Sequence, residues 1–117
     1  MATTRNASSL DSLKAVHSSD SLFVIELNLS STSDIKSAFE KVKAHYGRID
    51  VVVNNAGYGL KGEVESVSED EAMKQVDINF WGPAKICREV RISISLSSIN
   101  VKLTNVCILG CEILQRR

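Results

Sequence analysis

Ile49-Asp50-Val51-Val52-Val53 is β-branched at four of its five positions and runs directly into Asn54-Asn55-Ala56-Gly57. Side chains branched at Cβ fit an extended backbone better than a helix. A near-continuous apolar run, unlike an alternating one, predicts a strand covered on both faces, as in a parallel sheet. A second run of this kind, Ser21-Leu22-Phe23-Val24-Ile25-Glu26-Leu27, comes earlier in the chain. Between the two, Ile35, Ala38, Phe39, Val42 and Tyr46 keep the i, i+3, i+4, i+7 spacing of a helix with one buried face. Ser30-Ser31-Thr32-Ser33 offers N-caps for that helix, and Gly47 offers its stop. Ser8 to His17 predicts a short helix with Leu10, Leu13, Ala15 and Val16 as its apolar positions. Farther on, Ser68 and Glu71 form a capping box ahead of a helix whose apolar face is Ala72, Met73, Val76 and Phe80. Gly82-Pro83 should kink or interrupt that helix, with a second segment continuing to about Val90. Met1-Ala2-Thr3-Thr4 could end an earlier strand. Helices and strands in alternation predict an α/β domain built on a parallel sheet.

Beyond residue 91 the pattern changes. Ile92-Ser93-Ile94-Ser95-Leu96 alternates with period two, as a half-exposed strand would, and Val106 to Leu114 is an apolar run broken by Gly110 and Glu112. The expected organisation is therefore one domain over residues 1–91 and a divergent tail over 92–117. The chain has 117 residues, with 14 basic residues against 14 acidic ones. That balance argues against a dedicated nucleic-acid or polybasic membrane partner. No early stretch resembles a signal peptide, and the stretch from 92 to 114 is too interrupted to span a membrane, so the expected location is the cytoplasm. Cys87, Cys107 and Cys111 lack a secretory context and a nearby histidine, which predicts plain thiols with no disulfide framework and no metal site.

Gly57-Tyr58-Gly59-Leu60-Lys61-Gly62 matches G-x-G-x-x-G after a strand, with Asp77 downstream. The phosphate-binding form of that motif requires its glycines to open a helix, so that free amides face the pyrophosphate. Here the helix is expected only at about Ser68, after Glu63-Val64-Glu65, whose acids would repel a diphosphate. The literal reading is disfavoured.

Asp50-Val51-Val52-Val53-Asn54-Asn55-Ala56-Gly57 resembles the strand and turn of the short-chain dehydrogenase/reductase family, whose hallmark is Asn-Asn-Ala-Gly. Asp77-Ile78-Asn79-Phe80-Trp81-Gly82-Pro83 resembles the family's helix segment that holds its catalytic asparagine, and the match falls on Asn79. The helix ending in Gly47-Arg48-Ile49-Asp50 is similar to the family's approach to this strand. Tyr58-Gly59 resembles a subgroup with steroid- and retinol-acting members. The resemblance covers about residues 1 to 90, with its two central motifs at their correct spacing. It implies a partial Rossmann-like, doubly wound parallel sheet lacking its first strand, and NADP-linked oxidoreduction of a small carbonyl or alcohol. It assigns Asn79 a kink in the helix and a water in the proton relay, and places Asn55, Ala56 and Gly57 beside the cofactor. Arg5, at the end of the opening strand with no acid at its tip, implies a 2′-phosphate and hence NADP over NAD. Asn28 and Leu29 fall where the family borders the adenine, with Asn28 replacing the usual acid.

Two family features have no counterpart in these residues. No glycine-rich phosphate loop precedes the opening strand, and neither Tyr46 nor Tyr58 is followed by a lysine four residues on. Ser97-Ser98-Ile99 resembles the family's strand-end serine motif, with Ser98 at the carbonyl-polarising position, but it follows Asn79 too closely. The expectation is a chain truncated relative to the family and inactive alone. Without the family's first strand, the Val51 strand is expected to pair with the opening strand or to leave a bare hydrophobic edge. The alternative is a non-catalytic module that self-associates, or pairs with a full-length relative, through an exposed sheet edge. A flavodoxin- or receiver-like domain rests on alternation alone, and Asn28 and Asn54 stand where receiver chemistry wants acids.

Overall fold

The structure, a computed structural model, describes residues 1–96 and 102–105. The chain divides into two compact units, Met1–Arg48 and Ile49–Arg117.

In the first unit, β1 (Ala2–Thr4) and β2 (Val24–Glu26) pair in parallel, with Ala2 opposite Val24 and Thr4 opposite Glu26. The Ala2 amide on the Phe23 carbonyl and the Leu27 amide on the Thr4 carbonyl, each at 2.9 Å, extend the ladder past both ends. The expected strand from Ser21 starts late, because the Ser21 and Leu22 amides donate to the Ser18 carbonyl in a turn. The expected first helix is divided into a 3₁₀ turn at Ala7–Leu10 and α1 (Asp11–Val16). For α2 (Thr32–Tyr46), the cap is Ser31, whose side chain accepts the Asp34 amide at 3.2 Å. Gly47 closes α2 at φ 72°, a left-handed conformation in which a Cβ would be strained. Ile35, Ala38 and Val42 of α2 are buried, as are Ile25 and Leu27 around β2. Phe23, just before β2, stacks on His45 at 4.4 Å and meets Tyr46 edge-on at 6.4 Å, joining the strand's entry to the last turn of α2.

The second unit opens with β3 (Val51–Asn54), followed by a loop and a 3₁₀ turn at Val64–Ser66. The capping box forms as expected at the head of α3 (Glu69–Val76). Glu71 donates its amide to the Ser68 hydroxyl at 3.3 Å, and its carboxylate accepts the Ser68 amide at 3.1 Å. A π-helical segment at Asp77–Trp81 joins α3 to α4 (Gly82–Leu96). The expected disturbance at Gly82-Pro83 takes this form. In a regular α-helix Pro83 would press its ring on the Asn79 carbonyl and return no amide to it, and a wider turn relieves that conflict.

Two expectations are corrected here. Ile92 to Leu96 is the last part of α4 and not a strand. Extending an existing helix adds one hydrogen bond per residue without a new nucleus, and that outweighs a short alternating pattern. β3 pairs in parallel not with β1 but with β4 (Lys102–Asn105), in the register Val51–Lys102 to Asn54–Asn105. Among the described residues the strands thus form two two-stranded parallel sheets. α4 buries Ile86 and Val90, whereas Met73, Val76 and Phe80 remain exposed. Among the described residues, no helix is long and apolar enough to cross a membrane. Ser98, Cys107, Cys111 and the run from Val106 to Leu114 lie outside the described residues.

Candidate functional site

In the first unit, β1 and β2 run parallel and end together, so Arg5 and Asn28 both follow the C-terminal edge of their sheet. Ligands of open α/β sheets bind at that edge. Arg5 is exposed, and it has no ion pair among the described residues. The loop beyond it is held by its own side chains. Asn6 Oδ1 accepts the Ser8 amide at 3.0 Å and its hydroxyl at 2.7 Å. The acid at this edge, Glu26, is committed to the backbone, accepting the Ala7 amide at 2.9 Å. Asn28 also serves its own turn: Oδ1 accepts the Ser30 amide at 3.1 Å, leading the chain toward the Ser31 cap. Leu29 is half-buried beside it. An exposed guanidinium at this edge can pair with an anionic group.

The second unit carries the turn. Asn55, Ala56 and Gly57 are exposed at the C-terminal end of β3. Directly after them, Asn79 grips the main chain of Tyr58 at two points. Its Oδ1 accepts the Tyr58 amide at 3.0 Å, and its Nδ2 donates to the Tyr58 carbonyl at 2.7 Å. An asparagine is a poor helix former. Within the π segment its amide turns away from the helix and serves as a substitute strand edge for the loop. The structure therefore brings Asn79 to the residue that follows the Asn-Asn-Ala-Gly turn. Asn54 Nδ2 lies 3.9 Å from Cys87 Sγ on α4, and burial is the main influence raising the Cys87 thiol above its usual range. Lys85 and Asp77, both largely shielded, pair at 3.1 Å across the π segment.

Other residues act differently from the patterns in which they first stood out. The Gly57-to-Gly62 stretch opens no helix, so it is not a phosphate loop. At Gly62 the space is tight: a Cβ there would lie 3.0 Å from Ser66 Oγ, which would have to shift. Asp77 pairs with Lys85 rather than completing a dinucleotide motif. Gln75 was missed: its Nε2 donates to the Tyr58 carbonyl at 3.2 Å. The signal available was position, because Gln75 lies four residues before Asn79 and so shares its helix face.

Residues 1–106 match the family model described as enoyl-(acyl carrier protein) reductase. The chain belongs to the short-chain dehydrogenase/reductase family. An uncharacterised oxidoreductase of Schizosaccharomyces pombe is 39% identical over 79 residues, covering 68% of this chain and 26% of its own length. Oxidoreductase calM of Penicillium decumbens is 35% identical over 89 residues, 74% of this chain and 29% of its own. A short-chain dehydrogenase from Streptomyces avermitilis superposes with a TM-score of 0.77 at 30% identity, over 88% of this chain and 37% of that one. A metagenomic short-chain oxidoreductase in complex with NADP superposes at 0.75 and 24% identity, over 88% and 48%, a likeness of fold. The short-chain dehydrogenase/reductase chain described here thus spans between a quarter and a half of these relatives. Its fold is accordingly a partial Rossmann-like α/β arrangement.

Proposed function

We propose that this chain forms the cofactor-facing part of an NADP-dependent oxidoreductase acting on a small carbonyl or alcohol. The observation that supports the reading most is the paired hydrogen bond between Asn79 and the Tyr58 main chain, which holds the Asn55-Ala56-Gly57 turn at a parallel strand's C-terminal end. Ala56 and Gly57 leave the backbone open to a flat ring there. Arg5 meets the 2′-phosphate, and Asn28 and Leu29 border the adenine. Bound NADPH would supply the hydride. Asn79 holds the turn and orders a water for proton relay, and Ser98 polarises the substrate carbonyl. The test is fluorescence titration of the purified chain with NADPH and NADH. Replacing Arg5 with alanine should weaken NADPH about tenfold or more, the loss of one charge-assisted contact, and leave NADH unchanged. Equal affinity of the parent chain for both cofactors would overturn the assignment to NADP.

The 117 residues contain no Tyr-x-x-x-Lys pair, and we propose that they do not turn over substrate alone. Hydride transfer needs cofactor, polarising group and proton donor in one pocket. Reduction by the purified chain that disappears in Asn79→Ala would refute this. A second reading, a pairing module, draws support from Val51 and Val53, which are 52% and 56% exposed on β3. Size-exclusion chromatography, with and without a full-length relative, decides it: an indifferent monomer ends that reading.

A further inference from the structure

Tyr58 sits between Gly57 and Gly59, so the chain on either side of it has the widest conformational freedom available to a backbone. Asn79 fixes the Tyr58 amide through Oδ1 and shares the Tyr58 carbonyl with Gln75, whose Nε2 donates from α3 at 3.2 Å. The amide belongs to the peptide plane shared with Gly57, and the carbonyl to the plane shared with Gly59. Three hydrogen bonds from one helix face therefore hold both planes beside an otherwise loose residue.

We propose that Gln75 is a positioning residue for the Tyr58–Gly59 peptide that leads out of the Asn55-Ala56-Gly57 turn, acting with Asn79 as the second arm of a clamp on Tyr58. The division of labour follows from the donors. Asn79 has an acceptor and a donor engaged, one for each plane. Gln75 adds a donor to the carbonyl alone, and a carbonyl oxygen has lone pairs for both. Without Gln75 the Gly59 side of the clamp depends on one bond, and the Gly57 side is unchanged. The consequence for binding rests on the cofactor reading above: a loop held in its bound shape beside the turn loses less entropy when a ligand arrives.

Backbone ¹⁵N relaxation of the full chain tests the clamp, comparing Gln75→Met, which keeps length and loses the donor, with Gln75→Lys, which keeps a donor. In Gln75→Met the Gly59 order parameter should fall below about 0.6, the flexible range, with Gly57 changing less, and NADPH should bind about three- to tenfold more weakly. Gln75→Lys should restore both. A Gly59 order parameter unaltered in Gln75→Met overturns the proposal, as does an equal loss in both variants. Should Gln75→Met not fold, Gln75→Asn withdraws the donor by one methylene and is read in the same way. A parent chain that binds no NADPH defeats the cofactor reading, while the relaxation data still decide the clamp.

Discussion

α2 and α3 are both serine-capped helices with an apolar stripe at helical period, yet only one stripe is buried. In α2, Ile35 is fully buried, with Ala38 and Val42 close behind, whereas in α3 Met73 is 62% exposed and Val76 is also open. The period of a stripe says which residues share a face, but not what covers that face. α2 and β2, which lie in one compact unit, each contribute to the buried set. α3 is instead tied down at its ends. The Ser68–Glu71 box holds its start, and the Tyr58 main chain is gripped from its last turn and from the π segment. One helix is secured by area removed from water, the other by directional polar contacts.

Ile35→Ala should have the largest effect, about 2–5 kcal/mol of stability in urea unfolding, since it opens a cavity in a fully buried site. A loss below about 1 kcal/mol would end the claim that α2 is held by burial. Gly47→Ala forces a Cβ into the left-handed region at the end of α2 and should cost about 1–2 kcal/mol. Ser68→Ala should cost about 1 kcal/mol, because it strands an amide at the start of α3. The same cap makes α3 pH-sensitive. Hydrogen bonds from the Ser68 side chain, then its backbone, lower the Glu71 pKa below its ordinary value of 4.5. Its contribution is therefore present in full above the unfolded value and is lost as pH falls through the lower folded value. Acid titration of helicity should show a step below pH 4.5 that Ser68→Ala flattens. Met73→Ala should have the smallest effect, within about 0.5 kcal/mol, as for an exposed position. A larger loss in the full chain would show that the α3 stripe is covered after all.

Local chemistry was legible where neighbouring residues settle it. The Ser68–Glu71 box, the Gly47 stop and the strand at Val51–Asn54 needed only the chain within a few residues. The bonds from Asn79 to the Tyr58 main chain were not legible, since 21 residues separate the two and the resemblance gives Asn79 only a helix kink and a relay water. Gln75 escaped notice because a glutamine in a helix reads as solvated surface until the carbonyl opposite it is known. The helix over Ile92–Leu96 was misjudged because a period-two pattern ignores the α-helix already running into it.

The sequence by itself determined the order and approximate place of the main strands and helices up to about Val90, the Ser68–Glu71 cap of α3 and the Gly47 stop of α2, and that a turn of Asn54-Asn55-Ala56-Gly57 ends a β-branched strand. Those choices rest on steric and hydrogen-bonding preferences that act within a turn or two of the backbone. Only the tertiary structure decided that β3 takes β4 as its ladder partner, that the π segment at Asp77–Trp81 absorbs Pro83, and that Gln75 and Asn79 close on one carbonyl. Each of these depends on groups far apart in the chain competing for the same donor, acceptor or space, and no local preference ranks such competitors.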